Sequence, residues 1–153
     1  MDRAESELLV RRLIEFVFNQ KRIGLIDHFY SPDCHGGSPD GPFEGRDQLR
    51  AAFQKYESAF PGFHIGITHI FADDQRVVVQ YTFVGTHKGS LAGYPPTGHT
   101  LRVPGFMVLR ISDFRLVEHD FLWDNLGPRR KLWLASVVER QYVKNGAEIP
   151  IIE

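Results

Sequence analysis

The first third of the chain carries apolar side chains at helical spacing. Between Glu5 and Asn19, apolar residues recur every three or four positions with charged residues between them: Leu9, Val10, Leu13, Ile14 and Val17. This pattern predicts an amphipathic first helix. A short second helix is predicted from Ile23 to Tyr30, because the residue before a proline, here Ser31, disfavours helical angles. A third helix is predicted to begin at Gly45 and to end before Pro61.

The segment from Pro32 to Pro42 has no regular hydrophobic period. It holds three prolines and three glycines within eleven residues, which is too many for a regular helix or strand. We therefore expect a loop here, with or without a brief strand near Cys34.

After Gly62 the hydrophobic period changes to two, which is the repeat of a β-strand. Four strands are predicted, over Phe63–Phe71, Arg76–Thr86, His99–Ile111 and Phe114–Asp124. Short polar turns join the first pair and the last pair, so each pair is predicted to form a hairpin. The Gly/Pro-rich connection between the hairpins, Lys88–Gly98, suits the rim of a pocket.

A last helix is predicted to begin at Gly127-Pro128, because proline is favoured at the first helical position. We expect it to run to about Tyr142 and to bury Trp133 and Val137. Helices followed by a long antiparallel sheet are the order of an α+β domain. Long sheets curl, and helices on the concave side leave a cavity at the open end. The expected fold over 1–153 is thus a single domain: a cone-shaped barrel of curved, mainly antiparallel sheet, packed by N-terminal helices and followed by a C-terminal helix.

Composition narrows the range of partners. With 42% hydrophobic and 24% charged residues, the chain is typical of a soluble globular protein. A net charge of -1 supplies no cationic field for phosphates, so we expect no nucleic-acid partner. No stretch approaches the ~18 apolar residues of a membrane span, and no apolar signal segment precedes the first helix. The lone Cys34 cannot form an internal disulfide. We expect a cytoplasmic protein that does not bind membranes.

Motifs for metal or nucleophilic chemistry are weak in this sequence. The seven histidines include no i,i+4 pair with a third ligand, so no metal site is expected. No serine lies in the glycine-flanked elbow that exposes a catalytic nucleophile.

Several short motifs together resemble a known family. They are Phe43-x-Gly45, Ala59-Phe60-Pro61, Gly85-Thr86-His87-Lys88-Gly89, Gly93-Tyr94-Pro95-Pro96-Thr97-Gly98 and Trp123-Asp124-Asn125-Leu126-Gly127. In their order, over roughly residues 8 to 135, the chain resembles the SnoaL-like polyketide cyclases of the nuclear transport factor 2-like superfamily. That superfamily holds cyclases, isomerases, hydrolases and non-catalytic binders, so the resemblance leaves the reaction open.

The resemblance implies a cofactor-free enzyme that encloses a small apolar or polycyclic ketone and moves protons. It also implies a homodimer through the outer face of the sheet, where Thr82, Val84, Phe106 and Val108 are predicted to lie. In SnoaL-like cyclases an aspartate on the last strand, two positions after the histidine equivalent to His119, acts as general acid/base. Phe121 occupies that position here. Either a bulge turns the neighbouring Asp120 into the pocket, or the usual cyclase chemistry is absent.

Three residues are candidates for acid/base chemistry. His119 shares a predicted strand face with Phe121, and an imidazole suits proton transfer near neutral pH; alternatively it is a core histidine bonded to a neighbouring element. Asp120 is either turned inward or part of a solvated or interface-facing side. His35 either positions a substrate oxygen or lies in a loop exposed to water.

The substrate wall is predicted to contain Tyr81, Met107, Phe121 and Trp123. Tyr81 has core packing as its alternative role, His87 is expected to fix its turn through a backbone hydrogen bond, and Asp124 is expected to cap the last helix. The leading hypothesis is a cofactor-independent cyclase or isomerase in which His119, with Asp120 or His35, transfers protons next to a carbonyl. The rival hypothesis is a non-catalytic binding or accessory protein that kept the pocket and lost the acid/base residue.

Overall fold

The computed structural model describes residues 1–133 and Ala135. Helix α1 spans Arg3–Leu13 and continues as a π-helical segment, Ile14–Asn19; a 3-10 turn, Ile23–Leu25, leads into α2, Ile26–Phe29. The remaining elements are β1 (Tyr30–Ser38), β2 (Gly41–Glu44), α3 (Gly45–Ala59), β3 (His64–Ala72), β4 (Arg76–Thr86), β5 (Thr100–Ser112), β6 (Arg115–Trp123) and a last helix, α4, at 126–133.

Within the described residues, the strands form one sheet in the order β2-β1-β6-β5-β4-β3. The β1–β6 pair is parallel and the other pairs are antiparallel. The sheet is curved and does not close, because β2 and β3 remain its two edges. The predicted α+β class is therefore confirmed. None of the helices in the described part of the chain is long and apolar enough to cross a membrane.

The core forms where the first helix crosses the concave face of the sheet. The helix contributes Val10, Leu13, Ile14 and Val17, and the sheet contributes Val77, Val79, Met107 and Leu109; all are at most 1% exposed. Burying each such side chain stabilises the fold by about 1.5–3 kcal/mol. The helical spacing in the sequence thus identified most of the buried face of α1 and its π-helical extension.

The loop predicted for Pro32–Pro42 was wrong, because this segment forms β1, a tight turn and β2. One of its glycines, Gly36, serves a close approach between strands rather than flexibility. Gly36 pairs with His119 across the β1–β6 ladder, and a Cβ on Gly36 would lie 1.9 Å from the His119 carbonyl oxygen. Pro42 is tolerated because β2 is an edge strand, where a missing N–H need not break a ladder.

Strand β6 contains a bulge at Val117. Arg110 of β5 pairs with Glu118, but the next residue, Ile111, pairs with Leu116, so Val117 is left over. Leu116 and His119 are both buried, whereas Val117 is only partly buried. The inward position expected for Val117 in a regular strand therefore belongs to Leu116. Beyond the bulge the strand alternates normally.

Helix α4 begins at residue 126, slightly earlier than predicted. The Asp124 carboxylate accepts hydrogen bonds from the backbone N–H groups of Leu126 and Gly127 at 3.1 Å, which confirms the predicted cap. Leu132 and Ala135 point inward at helical spacing, and Trp133 is 50% exposed. The predicted burial of Trp133 was therefore wrong, because it lies beside the inward face rather than on it. Val137 and Tyr142 lie outside the described residues.

The β1–β6 contact makes a direct stability prediction. In Gly36→Ala the new methyl group overlaps the His119 carbonyl, and a backbone atom within a sheet cannot easily move away. We expect the free energy of unfolding to fall by about 2 kcal/mol or more, the upper part of the usual overpacking range. Urea denaturation followed by circular dichroism measures this loss. The matched control is Gly24→Ala, where nothing lies within 4 Å of the added Cβ; equal losses in both variants would contradict the prediction.

Candidate functional site

A cavity of about 340 Å³ lies between the helices and the concave face of the sheet. Its volume falls in the range of pockets that hold small organic molecules, roughly 300–1,000 Å³. It is lined by side chains from the π-helical segment, α3, the β1–β2 hairpin, strands β3 to β6 and α4. The cavity therefore depends on every layer of the described structure.

Aromatic rings form much of the cavity wall. Phe53 lies 5.7 Å from Phe18 and from Phe63, measured between ring centroids, and Phe83 lies 5.2 Å from Phe63. Leu101 and other aliphatic residues, Ile65, Val103 and Met107, fill the space around these rings. Such a wall suits a flat, apolar ligand, because aromatic rings offer large contact areas with preferred stacked and edge-on geometries.

The four predicted wall residues, Tyr81, Met107, Phe121 and Trp123, all line this cavity. Tyr81 pairs with Gly105 of β5, which pairs with Trp123 of β6, so the three form one row across the sheet. A Cβ on Gly105 would lie 2.5 Å from the Tyr81 hydroxyl oxygen. The glycine thus makes room for the phenol. Burial raises the pKa of Tyr81, so its hydroxyl remains a neutral hydrogen-bonding group.

His119 lies behind the cavity wall rather than on it. Its side chain is fully buried, and its Nδ1 atom is hydrogen-bonded to the Tyr30 hydroxyl at 2.7 Å. Phe121 stacks on the imidazole with 3.9 Å between ring centroids, and Phe18 meets it edge-on at 6.1 Å. Both phenylalanines line the cavity, whereas His119 is not among the lining residues.

The surroundings of His119 keep its imidazole neutral. Burial lowers its pKa to about 3. Within the described residues its Nε2 atom has no hydrogen-bond partner. The imidazole orients Phe121 and Tyr30 but does not touch the space that a ligand would fill. This geometry is that of a core histidine bonded to a neighbouring element, which was the second of the two roles considered for His119.

Asp120 and His35 lie on the opposite, outer face of the sheet. Asp120 is exposed and pairs with Val108, whose side chain also points outward. The Nε2 atom of His35 is 3.4 Å from a Glu118 carboxylate oxygen, which also accepts a hydrogen bond from Arg110 at 2.9 Å. The Arg110 hydrogen bond is the main cause that lowers the pKa of Glu118.

The structure therefore does not bring the three predicted acid/base residues together. The bulge considered for β6 exists, but it lies at Val117 and leaves Asp120 facing outward. His35 lies on β1, which runs parallel to β6, and it pairs with Glu118. Its side chain therefore also lies on the outer face of the sheet. Of the two alternatives considered for each, Asp120 and His35 both have the outward, exposed position, and the hypothesis that either one assists His119 in the pocket does not fit this geometry.

His87 stabilises the connection between β4 and β5, as its predicted structural role required. Its Nδ1 atom accepts a hydrogen bond from the Thr97 backbone N–H at 3.2 Å and lies 3.0 Å from the Thr97 hydroxyl. From this connection Leu91 and Ala92 reach the cavity, which agrees with its expected position at the rim.

Sequence reasoning missed a polar cluster at one end of the cavity, formed by Asp40, Tyr56 and Arg129. Tyr56 donates its hydroxyl hydrogen to Oδ2 of Asp40, and Arg129 donates from Nη2 to Oδ1 at 3.1 Å. Trp123 packs edge-on against Tyr56 with 5.8 Å between centroids. All four line the cavity. The available signal was Pro39-Asp40-Gly41, a turn sequence that indicates a hairpin in place of the predicted loop.

In the part of the chain that the structure describes, no three His, Cys, Asp or Glu side chains are arranged to hold a metal ion.

The fold and cavity define a class of protein: an α+β domain in which a curved sheet and its helices enclose a small-molecule pocket. The sequence profile of the SnoaL-like polyketide cyclases matches residues 7–132. The chain belongs to this family. Among curated proteins, none matches the chain.

Solved structures share this fold. A protein provisionally assigned as a SnoaL-like polyketide cyclase from Jannaschia Sp. CCS1 superposes with a TM-score of 0.80 at 20% identity, over 85% of this chain and 92% of that one. AclR, a provisionally assigned hydroxylase from Streptomyces galilaeus, gives 0.76 at 25% identity, over 85% of each chain. IdmH, a provisionally assigned polyketide cyclase from Streptomyces antibioticus, gives 0.72 at 23%, over 84% and 98%.

The buried imidazole predicts a specific dependence of stability on pH. The pKa of His119 is about 3 in the folded protein, against an ordinary value of 6.5 in the unfolded chain. Between these values the unfolded chain binds a proton that the folded protein does not. The free energy of unfolding should therefore fall as pH drops below about 6.5, with a limiting slope of about 1.4 kcal/mol per pH unit from this residue. Above that pH its contribution is constant.

Urea unfolding of wild type and His119→Gln between pH 4.5 and 7.5 measures this effect. The variant should lose this part of the pH dependence, because glutamine does not titrate. His64→Gln is the control, since His64 is exposed to water in the folded protein. A pH slope that is unchanged in His119→Gln would show that the imidazole does not behave as a buried neutral group.

Proposed function

We propose that the chain binds a flat, largely apolar ketone in the central cavity and acts on it as a cofactor-independent cyclase or isomerase. The observation that supports this most directly is the cavity itself: an aromatic and aliphatic wall with polar side chains gathered at one end. Such a site holds the body of a ligand by apolar contact and orients it through a few polar groups. Membership of the SnoaL-like polyketide cyclase family supports a reaction of this class.

The chemistry proposed consists of proton transfers next to a carbonyl group. A base removes a proton from the carbon beside the carbonyl. The resulting enolate closes a ring or, where a neighbouring carbon–carbon double bond extends it to a dienolate, takes the proton back at the far carbon of that double bond. The aromatic wall excludes water from the reacting carbon and strengthens electrostatic interactions at the polar end. In this proposal His119 is a positioning residue that acts through Phe121 and Tyr30.

A second candidate function is binding without catalysis. It is favoured by one observation: His119 lies behind the cavity wall, and Asp120 and His35 lie on the other face of the sheet. A protein that only binds needs the cavity and no base. Both functions require a ligand of the same shape. Only the enzyme would accelerate exchange of the ligand protons beside the carbonyl with solvent.

Val103→Phe tests whether the cavity is the binding site. Val103 lines the cavity, and the larger ring would occupy ligand space. We expect the affinity for 2-tetralone, a flat bicyclic ketone, to fall at least tenfold, or about 1.4 kcal/mol. Quenching of tryptophan fluorescence measures binding, because Trp123 lies in the wall. The control is Val108→Phe, the same substitution on the same strand but on the outer face. Equal affinities for all three proteins would place binding elsewhere.

Proton exchange separates the enzyme from the binding protein. With bound 2-tetralone in D₂O, wild type should exchange the protons beside the carbonyl faster than buffer alone, as followed by proton NMR. Saturable binding without any acceleration would reject the enzyme and favour the binding function.

We also propose that two copies associate through the outer face of the sheet. Several apolar side chains are exposed there: Phe71 (67%), Phe106 (46%), Val108 (42%) and Leu122 (65%). Phe106 pairs with Leu122, and Val78 pairs with both Phe71 and Val108, so these side chains form two adjacent rows. An exposed apolar patch of this kind is typical of an interface, and a symmetric dimer would cover it on both copies.

Light scattering tests the dimer. Wild type at micromolar concentration should have twice the chain mass of 17.5 kDa. Val108→Glu places an unpaired charge in the middle of the face and should shift the protein to the monomer mass. Ser112→Glu, exposed at the end of the same strand, should remain dimeric. A monomeric wild type would reject the proposal.

A further inference from the structure

We propose that Asp40 is the catalytic carboxylate of this site, the base that removes a proton from the bound ketone. The inference rests on the proposed function, because it assigns a residue to that reaction. Among the described residues that line the cavity, Asp40 is the only aspartate or glutamate, and no histidine lines it. A proton-transfer reaction in this cavity needs a base, and the structure offers this one.

The position of Asp40 is well defined although it lies in a turn. Residues 39–40 form the turn between β1 and β2; Asp40 as a whole residue is exposed there, but its side chain is only 18% exposed. Tyr56 of α3 binds one carboxylate oxygen, and Arg129 of α4 binds the other at 3.1 Å. Each carboxylate oxygen can accept two hydrogen bonds, so these contacts leave acceptor capacity for a substrate proton. The carboxylate is thus oriented by two helices rather than by the turn alone.

The other polar residues of the cavity suit different roles. Arg129 has only donors, and an arginine does not act as a base at ordinary pH. Lys55 is exposed, and an ammonium group has hydrogen-bond donors and no acceptor. Tyr81 is buried with a raised pKa, so its hydroxyl donates a hydrogen bond more readily than it gives up its proton. These groups can stabilise developing charge, which leaves proton removal to Asp40.

The reaction step balances without any oxidant or metal. The Asp40 carboxylate takes the proton from the carbon beside the ketone, the C–H bond electrons form the carbon–carbon double bond of an enolate, and the negative charge moves to oxygen. In a ring closure, the enolate carbon then forms a bond with a second carbonyl carbon of the same molecule. The oxygen of that carbonyl takes the proton back from Asp40. In an isomerisation, the ketone carries a carbon–carbon double bond beside the acidic carbon. Asp40 returns the proton to the far carbon of that double bond, and the double bond moves into conjugation with the carbonyl.

The arrangement also predicts how the ligand lies. Asp40, Tyr56 and Arg129 form one hydrogen-bonded cluster in the cavity lining, and aromatic residues form much of the remaining wall. A ligand with one reactive carbonyl would place it at the β1–β2 turn and its apolar body among the rings. The substrate class is therefore a flat ketone whose acidic carbon lies at one end of the molecule.

The closing experiment measures 2-tetralone proton exchange in D₂O together with its affinity. Asp40→Asn keeps the size and some hydrogen bonding but removes the base, so we expect exchange to fall roughly 10²–10⁴-fold. Affinity should change less than about threefold. Asp33→Asn is the matched control, because Asp33 is an exposed carboxylate on β1, the strand that leads into the turn, and lies outside the cavity lining. Its exchange rate should equal that of wild type.

Chemical rescue separates catalysis from a structural role. In Asp40→Ala, added formate can enter the vacated space and act as the base, so the exchange rate should rise with formate concentration. Formate should have no such effect on wild type or on Val103→Phe. Tyr56→Phe, which keeps the carboxylate but removes one of its hydrogen bonds, should lose much less activity than Asp40→Asn.

Three results would overturn the inference, each in a recognisable way. Exchange at the wild-type rate in Asp40→Asn would remove Asp40 from the reaction while the proposed function stands. Loss of both binding and exchange in the Asp40 variants, without rescue by formate, would make Asp40 a structural residue. If wild type binds 2-tetralone but does not accelerate exchange, the proposed enzyme function and the role of Asp40 fail together.

Discussion

The structure depends on the close approach of β1 to β6. This parallel pair is possible because Gly36 has no side chain at the point where β1 passes the His119 carbonyl. The contact extends the sheet beyond its antiparallel meander and brings the β1–β2 turn to the end of the cavity. It also fixes the orientation of β6, so that His119 faces the core and Asp120 faces outward. A change at one glycine therefore affects the sheet, the core and the cavity together.

The cavity has an apolar part, formed by packed aromatic rings, and a separate polar cluster. The concave face supplies aromatic rings, and their burial stabilises the fold while leaving an apolar space. The cluster of polar side chains in the cavity lining comes from three different elements, namely the β1–β2 turn, α3 and α4. Because Asp40, Tyr56 and Arg129 lie far apart in sequence, their geometry exists only once these elements have packed.

The buried pair of His119 and Tyr30 shows how a polar group can belong to the core of such a protein. Burying the imidazole lowers its pKa and leaves its Nε2 atom without a partner among the described residues, which costs stability. The hydrogen bond to Tyr30 and the stacking of Phe121 offset part of that cost. In return, the ring of Phe121 is held in one orientation, and that ring forms part of the cavity wall.

The sequence by itself determined the fold class, the long helices and the four central strands, because apolar periodicity reports which face of an element is buried. The family followed from the resemblance of its short motifs. It also placed Tyr81, Met107, Phe121 and Trp123 on one wall, since period-two alternation survives beyond the bulge. Tertiary structure decided the rest. Whether Gly36 marks a loop or a close strand contact, and whether His119 touches the cavity or lies behind Phe121, depends on neighbours distant in sequence. Asp40 became a candidate base only when packing enclosed its side chain between two helices, which no local pattern of residues can show.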